Sequence, residues 1–366
     1  MTKQKRSVLL AAGGTGGHLF PAQALAEELA RRGIPVDLAT DMRGDRYGMG
    51  FPARSVHRLP SATLGSKSPA AIARTGWLLS RGLVAAFGLI GKLKPGIVIG
   101  FGGYPTFAPI KAAQLRGIPT LLHEQNAVLG RANKMLAKGV TGIATSFAAT
   151  KFLTPDLAGK ARLTGNPVRS RVIEAAKLPY AKPQPGGRLS LLVFGGSQGA
   201  RFFSEAVPPA LAFLPQHLRS RLDVVQQARA EDAEAVTAAY RSSGINAEVA
   251  PFFTDLPERM ARAHLVIGRS GASTVAELTV VGRPSILVPL PHALDNDQLQ
   301  NATRLAESGA AWCIEQRDLS TERLANDIGT LLGNAEELAG AADAAKMLGR
   351  PDAVGRLADL AEELMR

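Results

Sequence analysis

The sequence predicts an α/β protein of two Rossmann-like domains with parallel sheets that face an interdomain cleft. Three observations predict it. Short apolar runs of strand length alternate with stretches of helical apolar periodicity, the pattern of successive βα units. A strand, a Gly-Gly-x-x-Gly turn and a helix occur in that order twice, at 13–17 and 195–199. The length of 366 residues suits two domains.

Taken in order, residues 8–12 are an apolar run that ends in the first glycine turn, a first strand. Ala22, Leu25, Ala26, Leu29 and Ala30 recur at helical spacing, so a helix is expected over 21–32, with Gly33 as its stop. Strands are expected at 34–39, 96–100, 119–123 and 142–146. Gly, Asn and Pro cluster at 165–167 and mark a hinge, dividing an N-terminal domain (1–166) from a C-terminal one (167–366). A polar, proline-rich stretch at 179–187 precedes the next strand, 189–194. Further strands are expected at 222–226, 247–250, 265–267 and 285–289, and a last helix at 354–365 that can pack on either domain.

Hydrophobic residues make up 46% and charged residues 20%, which excludes global disorder. Cys313 is the lone cysteine, which excludes an internal disulfide framework and a cysteine zinc cage and fits a reducing compartment. The basic amino terminus runs into glycines too soon for a signal peptide. No run of about 18 uncharged apolar residues suggests a membrane-spanning helix. Charge is uneven: residues 1–166 hold 22 Lys/Arg against 7 Asp/Glu, and the remainder 21 against 24. From Arg46 to His123 there is no acid and there are ten bases. Such a field attracts a polyanion or an anionic membrane surface. Aromatics are only 5% and no nucleic-acid-binding motif occurs, so nucleic acid is not the expected partner.

A glycine turn between strand and helix exposes backbone N–H groups at a positive helix end, which suits phosphate. Tight strand–helix packing explains one such turn equally well; two in register favour a ligand. Spacing narrows the ligand. The third glycine of a dinucleotide fingerprint would fall at Leu19, and neither turn continues into the Gly-Lys-Ser/Thr of a P-loop. NAD and ATP-hydrolysis chemistry are therefore disfavoured.

At GGTGGHLFPAQALAEEL, from Gly13, the chain resembles the amino-terminal loop of the MurG family of glycosyltransferases. The resemblance continues in order through GFGGYPTFAP (100–109), LLHEQNAVLGRANK (121–134), TGNPVR (164–169), FGGSQGA (194–200), GRSGASTVAEL (268–278) and the D-x-x-Q-x-x-N-A pattern of 295–302. It implies the GT-B fold. It also implies transfer of N-acetylglucosamine (GlcNAc) from UDP-GlcNAc to the muramoyl 4-hydroxyl of lipid I, giving lipid II with inversion at the anomeric carbon. No cofactor and no bound metal are implied.

On the donor side the resemblance implies Ser197 and its turn at the diphosphate, Arg169 near the nucleotide and Phe253 reading uracil through its backbone. Ala272, Ser273 and Thr274 offer amides to phosphate, Glu277 accepts from the ribose hydroxyls, and Gln298 touches the sugar. Thr15, Gly16, Gly17 and Asn126 join the donor set. Neutral and backbone donors suffice to hold a diphosphate. A plainer role for Glu277 is a first-turn carboxylate on a helix dipole. The acceptor side would draw on Gly14, His18, Gly102, Gly103, Tyr104 and His123, with packing as the alternative for Tyr104. His18 and Glu124 are the catalytic candidates. His18 can take a proton near working pH, or it can cap the loop or position the acceptor phosphates. Glu124 is the sole acid between Arg46 and Asp156, so it is expected to ionise readily unless desolvated; its alternative is a loop carboxylate paired with an Arg. Asp295-Asn296-Asp297 has the spacing of metal-dependent glycosyltransferases, but Asp297 stands where the family has His or Gln, and no metal is assigned to it.

Residues 68–93 form an imperfect amphipathic stretch. Ile72, Leu79, Leu83, Phe87 and Ile90 are apolar, Trp77 is an interface anchor, and Lys67, Arg74, Arg81, Lys92 and Lys94 surround them. Such a helix lies on anionic headgroups without spanning; a core helix is the alternative for part of the stripe. Gly76, Gly82, Gly88 and Gly91 argue against one long helix. The resulting expectation is a peripheral enzyme on the cytoplasmic face of the bacterial inner membrane, in company with other cell-wall and division proteins. The rivals are another GT-B enzyme, a UDP-GlcNAc epimerase, and a non-catalytic scaffold.

Overall fold

Apolar strands buried on both faces and helices with one apolar stripe build two parallel sheets, each covered by helices. The computed structural model describes residues 6–13, 16–41, 50–61, 68–196 and 200–366, with backbone alone for 69–73, 200 and 294. Two compact units result: Met1–Arg169 with Pro351–Arg366, and Ser170–Arg350. The division falls after Arg169 rather than at 166, and the last helix belongs to the first unit.

Unit 1 contains β1 (Val8–Ala11), α1 (Gly16–Arg31), β2 (Val36–Thr40), β3 (Ser55–Arg58), α2 (Pro69–Leu93), β4 (Ile97–Gly100), α3 (Tyr104–Leu115), β5 (Thr120–Glu124), α4 (Arg131–Leu136), β6 (Gly142–Thr145), α5 (Pro155–Ala158) and β7 (Ala161–Leu163). Its strands lie in the order β3-β2-β1-β4-β5-β6-β7, all parallel, with Val8 opposite both Val36 and Ile97. One face of the sheet packs Val8, Leu10 and Ile99 against Leu25 and Leu29 of α1. The other packs Leu9, Val98 and Leu122 against Ala86 and Ile90 of α2, Ile110 of α3 and Leu136 of α4. Each such fully buried aliphatic side chain contributes roughly 1.5–3 kcal/mol.

Unit 2 contains α6 (Ser170–Ala175), β8 (Leu189–Phe194), α7 (Ala200–Ala212), α8 (Gln216–Arg219), β9 (Leu222–Gln227), α9 (Ala233–Ser242), β10 (Asn246–Ala250), α10 (Leu256–Arg262), β11 (Leu265–Gly268), α11 (Ala272–Val281), β12 (Ser285–Leu287), α12 (Asp297–Glu307), β13 (Ala311–Cys313), α13 (Thr321–Gly333) and α14 (Ala335–Leu348). The strand order is β10-β9-β8-β11-β12-β13, again parallel. Arg283 is fully buried with no carboxylate beside it among the described residues; its guanidinium donates to the carbonyls of Ala261, Val281, Gly282 and Leu178, tying the proline-rich approach to the sheet.

The last helix, α15 (Ala353–Leu364), returns to unit 1. Leu357, Ala358 and Ala361 join the α1 face of its core. Arg32 at the end of α1 holds it by donating to Asp359 at 2.6 Å and Glu362 at 2.8 Å while also bonding Glu28.

Three findings depart from the sequence reading. Helix α1 begins at Gly16, not at 21, so His18 stands on its first turn. The four glycines do not break α2, which runs unbroken for 25 residues. Strands β3, β7 and β13 were not expected: SVHR and ARL carry no apolar run to announce them, and AWC, though apolar, is only three residues long.

Candidate functional site

In unit 1 the chain order reverses at β1, which lies between β2 and β4. Ligands of open parallel sheets bind beyond the carboxyl ends of the strands at such a point. The loops leaving β1 and β4 meet there. The Thr106 hydroxyl links them, 2.7 Å from Gly102 O and 3.1 Å from Ala11 O. His18 Nδ1 is 3.2 Å from Gly13 O. A carbonyl only accepts, so Nδ1 carries the proton and Nε2 the lone pair. The ring lies against the turn at Gly102 and Gly103: a Cβ on Gly102 would come 3.3 Å from Nε2, and one on Gly103 3.4 Å from Cε1. Those glycines have φ of 86° and 75°, which side-chain-bearing residues rarely adopt. Burial lowers the His18 pKa, opposed in part by the Gly13 hydrogen bond, so the imidazole is neutral at pH 7. Gly16 is buried and Gly17 half-buried in the same turn of α1; Gly14 and Thr15 lie outside the described residues. Tyr104 is half-buried in the first turn of α3. Arg169 is exposed, its guanidinium 5.4 Å from the Phe20 ring centroid on α1.

Two expectations at the end of β5 are corrected. His123 is fully buried, with Nε2 donating to Gly165 O at 3.0 Å and Nδ1 accepting from Gln125 at 3.0 Å. Burial lowers its pKa to about 4. Both ring nitrogens are occupied, so it secures the strand to the turn at Gly165 and does not face an acceptor. Glu124 is 1% exposed. Its carboxylate accepts from the amides of Asn126 (3.0 Å) and Gly130 (2.8 Å) and from Asn133 Nδ2 (2.8 Å). Burial raises its pKa against these hydrogen bonds, the desolvated case that the sequence reading set apart from ready ionisation. Its partners among the described residues are amides, not an arginine, and it organises the β5–α4 loop that presents half-buried Asn126. Gln125 and Asn133, both buried, sit in the quoted motif but had no role assigned from sequence; nothing in their type marks them as props.

In unit 2 the reversal falls at β8, between β9 and β11. The loop leaving β8 is the second glycine turn, whose Ser197 lies outside the described residues. The loop leaving β11 opens α11, with Ala272, Ser273 and Thr274 as its first three residues, so their N–H groups lack intrahelical partners. Ser273 Oγ is buried and hydrogen-bonds to no described residue. Glu277 is buried in the second turn of α11, so the first-turn dipole role does not fit it. Gln298 is half-buried on α12; its Oε1 accepts from Leu290 N at 3.0 Å and its carbonyl from Ser270 Oγ at 2.8 Å, which ties the loops at 270 and 290 to the helix. Phe253 is buried beneath the Arg259 guanidinium, 4.4 Å away. Asp297 accepts from Gln298 N at 2.7 Å, and burial raises its pKa. Among the described residues no three His, Cys, Asp or Glu side chains gather as a metal cage.

Arg269, within the quoted GRSGASTVAEL motif but not singled out, is a buried cation at this second reversal. It donates to Val288 O (3.1 Å), Pro289 O (3.0 Å) and Gln316 (2.8 Å) and stacks 4.9 Å from Phe202 on α7. Burial lowers its pKa to about 10, so it stays charged at pH 7 and favours an anion at the loops above it.

On the α2 side of unit 1, Trp77 is 58% exposed, Val84 74% and Phe87 40%. Leu79 and Leu83 are half-buried, and Arg74 and Arg81 exposed. The Arg81 guanidinium lies 4.6 Å from the Trp77 ring. Lys67 and the Ile72 side chain lie outside what is described. By length and composition alone, Arg74–Leu93 is long and apolar enough to cross a membrane, contrary to expectation; in the fold its Ala86 and Ile90 are buried against the sheet.

Comparison with known proteins agrees with this fold. Residues 8–145 match the glycosyltransferase family 28 N-terminal domain and residues 190–357 the family 28 C-terminal domain. A protein of Chelativorans sp. (strain BNC1) is 54% identical over 98% of this chain and 95% of its own. One of Sinorhizobium fredii (strain NBRC 101917 / NGR234) is 55% identical over 98% and 96%. Both are named UDP-N-acetylglucosamine–N-acetylmuramyl-(pentapeptide) pyrophosphoryl-undecaprenol N-acetylglucosamine transferase. The crystal structure of Acinetobacter baumannii MurG superposes with a TM-score of 0.81 at 29% identity, covering 98% of this chain and 99% of that one. With both domains matched in order and full-length relatives more than half identical, this GT-B chain belongs to the MurG family of family 28 glycosyltransferases.

Proposed function

We propose that the chain transfers GlcNAc from UDP-GlcNAc to the muramoyl 4-hydroxyl of lipid I, producing lipid II for peptidoglycan synthesis. The observation that carries this reading is the 54–55% identity, across 98% of the chain, to relatives named for that reaction. In the mechanism we assign, His18 Nε2 takes the proton of the acceptor hydroxyl as its oxygen attacks the anomeric carbon from the face opposite the diphosphate. The bond from that carbon to the phosphate oxygen breaks, and UDP leaves with the electron pair. One displacement inverts the centre and needs no covalent enzyme intermediate.

Amides of Ala272, Ser273 and Thr274, the turn of Ser197 and the buried charge of Arg269 stabilise the departing diphosphate. Glu277 is assigned to the ribose, Gln298 to the sugar, Phe253 to uracil and Arg169 to the nucleotide. Asn126, carried by the loop that Glu124 organises, is assigned to the donor sugar, with Thr15, Gly16 and Gly17 beside it. Gly14, Gly102, Gly103 and Tyr104 are assigned to the acceptor. No metal enters the mechanism, so incorporation persists in EDTA.

The acceptor's lipid places the work at a membrane. The exposed apolar stripe of α2, with Arg74 and Arg81 beside it, supports peripheral binding to anionic lipid on the cytoplasmic face. Other cell-wall and division proteins are the partners this address suggests. The test is incorporation of labelled UDP-GlcNAc into a lipid I analogue by the wild type, Glu277→Ala and His18→Ala. His18→Ala should fall by about 100-fold or more, and Glu277→Ala by about 10–100-fold through lost ribose hydrogen bonds. Equal incorporation by all three would remove the site assignment, and incorporation by none the reaction.

A further inference from the structure

Phe152 carries two costs at once. It is 48% exposed, and its backbone sits at φ 68°, a region that is unfavourable for a bulky side chain. The loop is fixed there on the residues before it: Lys151 N donates to Ala127 O at 2.8 Å, and Leu129 N donates to Lys151 O at 3.0 Å. Two ammonium groups attend the ring, Lys134 Nζ at 3.9 Å and Lys151 Nζ at 5.5 Å from its centroid. Met135, next to Lys134 on α4, is 68% exposed. Asp156 on α5 is the one acid of residues 125–170, held ionised by the Thr154 hydroxyl first and by Lys138 and Lys160. Helix α4 lies in the same layer as α2 and α3, on the same face of the sheet.

We infer that Phe152, with Met135 and the lysines beside the ring, is a second membrane anchor that enters an anionic bilayer separately from α2. An aromatic ring flanked by ammonium groups suits the boundary between acyl chains and anionic headgroups. One helix separates α4 from α2, so the two points of attachment stand about 20 Å apart at ordinary interhelical spacings. Two points on one layer fix how unit 1 is turned on the surface, which one stripe alone leaves free to roll. The inference rests on the bilayer reading of α2.

Co-sedimentation with phosphatidylcholine–phosphatidylglycerol vesicles tests it, using the wild type, Trp77→Ser, Phe152→Gly and Met135→Ser. Phe152→Gly relieves the backbone strain, so its melting temperature should match or exceed that of the wild type. Its vesicle partition should nonetheless fall about tenfold, the order expected for losing one inserted aromatic. Met135→Ser should fall by a smaller factor. If the wild type stays in solution, the bilayer reading of α2 falls and this inference with it. If the wild type binds, Trp77→Ser is weakened and Phe152→Gly binds like the wild type, this inference alone falls.

Discussion

The His18 imidazole and the bare backbone of Gly102 constrain each other. A methyl at Gly102 would press on Nε2 at 3.3 Å in a backbone with φ 86°. Gly102→Ala should therefore cost about 1–3 kcal/mol of stability and lower transfer at least tenfold; denaturant melts and the incorporation assay read the two effects. A second prediction concerns acid. The unfolded chain protonates the His123 ring below its ordinary pKa of 6.5, whereas the folded chain holds it neutral down to about 4. The stability held by the neutral ring is whole above pH 6.5 and is lost as the pH falls to 4, by about 3 kcal/mol. Urea melts across that window should show the loss, and His123→Gln should flatten it. The position of these residues was legible in the sequence, because glycine turns and a polar cluster after a strand are restricted patterns. Their roles at 123 and 124 were not. Burial there is imposed by Asn133 and by Gly165, 42 residues along the chain from His123.

Helix α2 shows that one residue type can have opposite effects along a single element. A side chain at Gly82 would collide with the carbonyl of Pro60, while Gly76 and Gly88 face open space. Gly82→Ala should lower the melting temperature, at a cost of about 1–3 kcal/mol. Gly76→Ala and Gly88→Ala should raise it, by roughly 0.5–1 kcal/mol each. Equal shifts at all three positions would contradict the packing described. Propensity alone counts four glycines as four defects. It does not register that Gly82 is where the loop carrying Pro60 comes close, or that the Arg116 side chain lies beside Gly91. Central strands such as β1 (VLLA), β4 (IVIG) and β11 (LVIG) were legible because each is a continuous apolar run. Strands β3 and β7 lie at the rim of their sheet, where half-exposed sequences such as SVHR and ARL carry no continuous apolar run.

At the level of the molecule, two repeats of strand, glycine turn and helix were enough to expect two parallel sheets, because each turn type implies the same βα unit. Ownership of the last helix was not legible, since Leu357 and Ala361 would suit any apolar groove. The structure assigns it to unit 1. Leu357→Ala should cost about 2–5 kcal/mol through an unfilled core, whereas Arg32→Ala, at a half-buried cluster in which only Asp359 is well exposed, should cost about 1–2 kcal/mol. Thermal unfolding of both variants provides the check, and a larger loss for Arg32→Ala would reverse the ranking.

The return of α15 also sets an order of assembly. Domains ordinarily mature from the amino terminus as the ribosome releases them. Here the 181 residues of Ser170–Arg350 are synthesised before unit 1 receives the helix that covers Leu25 and Leu29. On a translating ribosome the first-made half waits with one flank of its interior uncovered while the second-made half matures, so nascent chains stalled just short of α15 should engage chaperones through the earlier half.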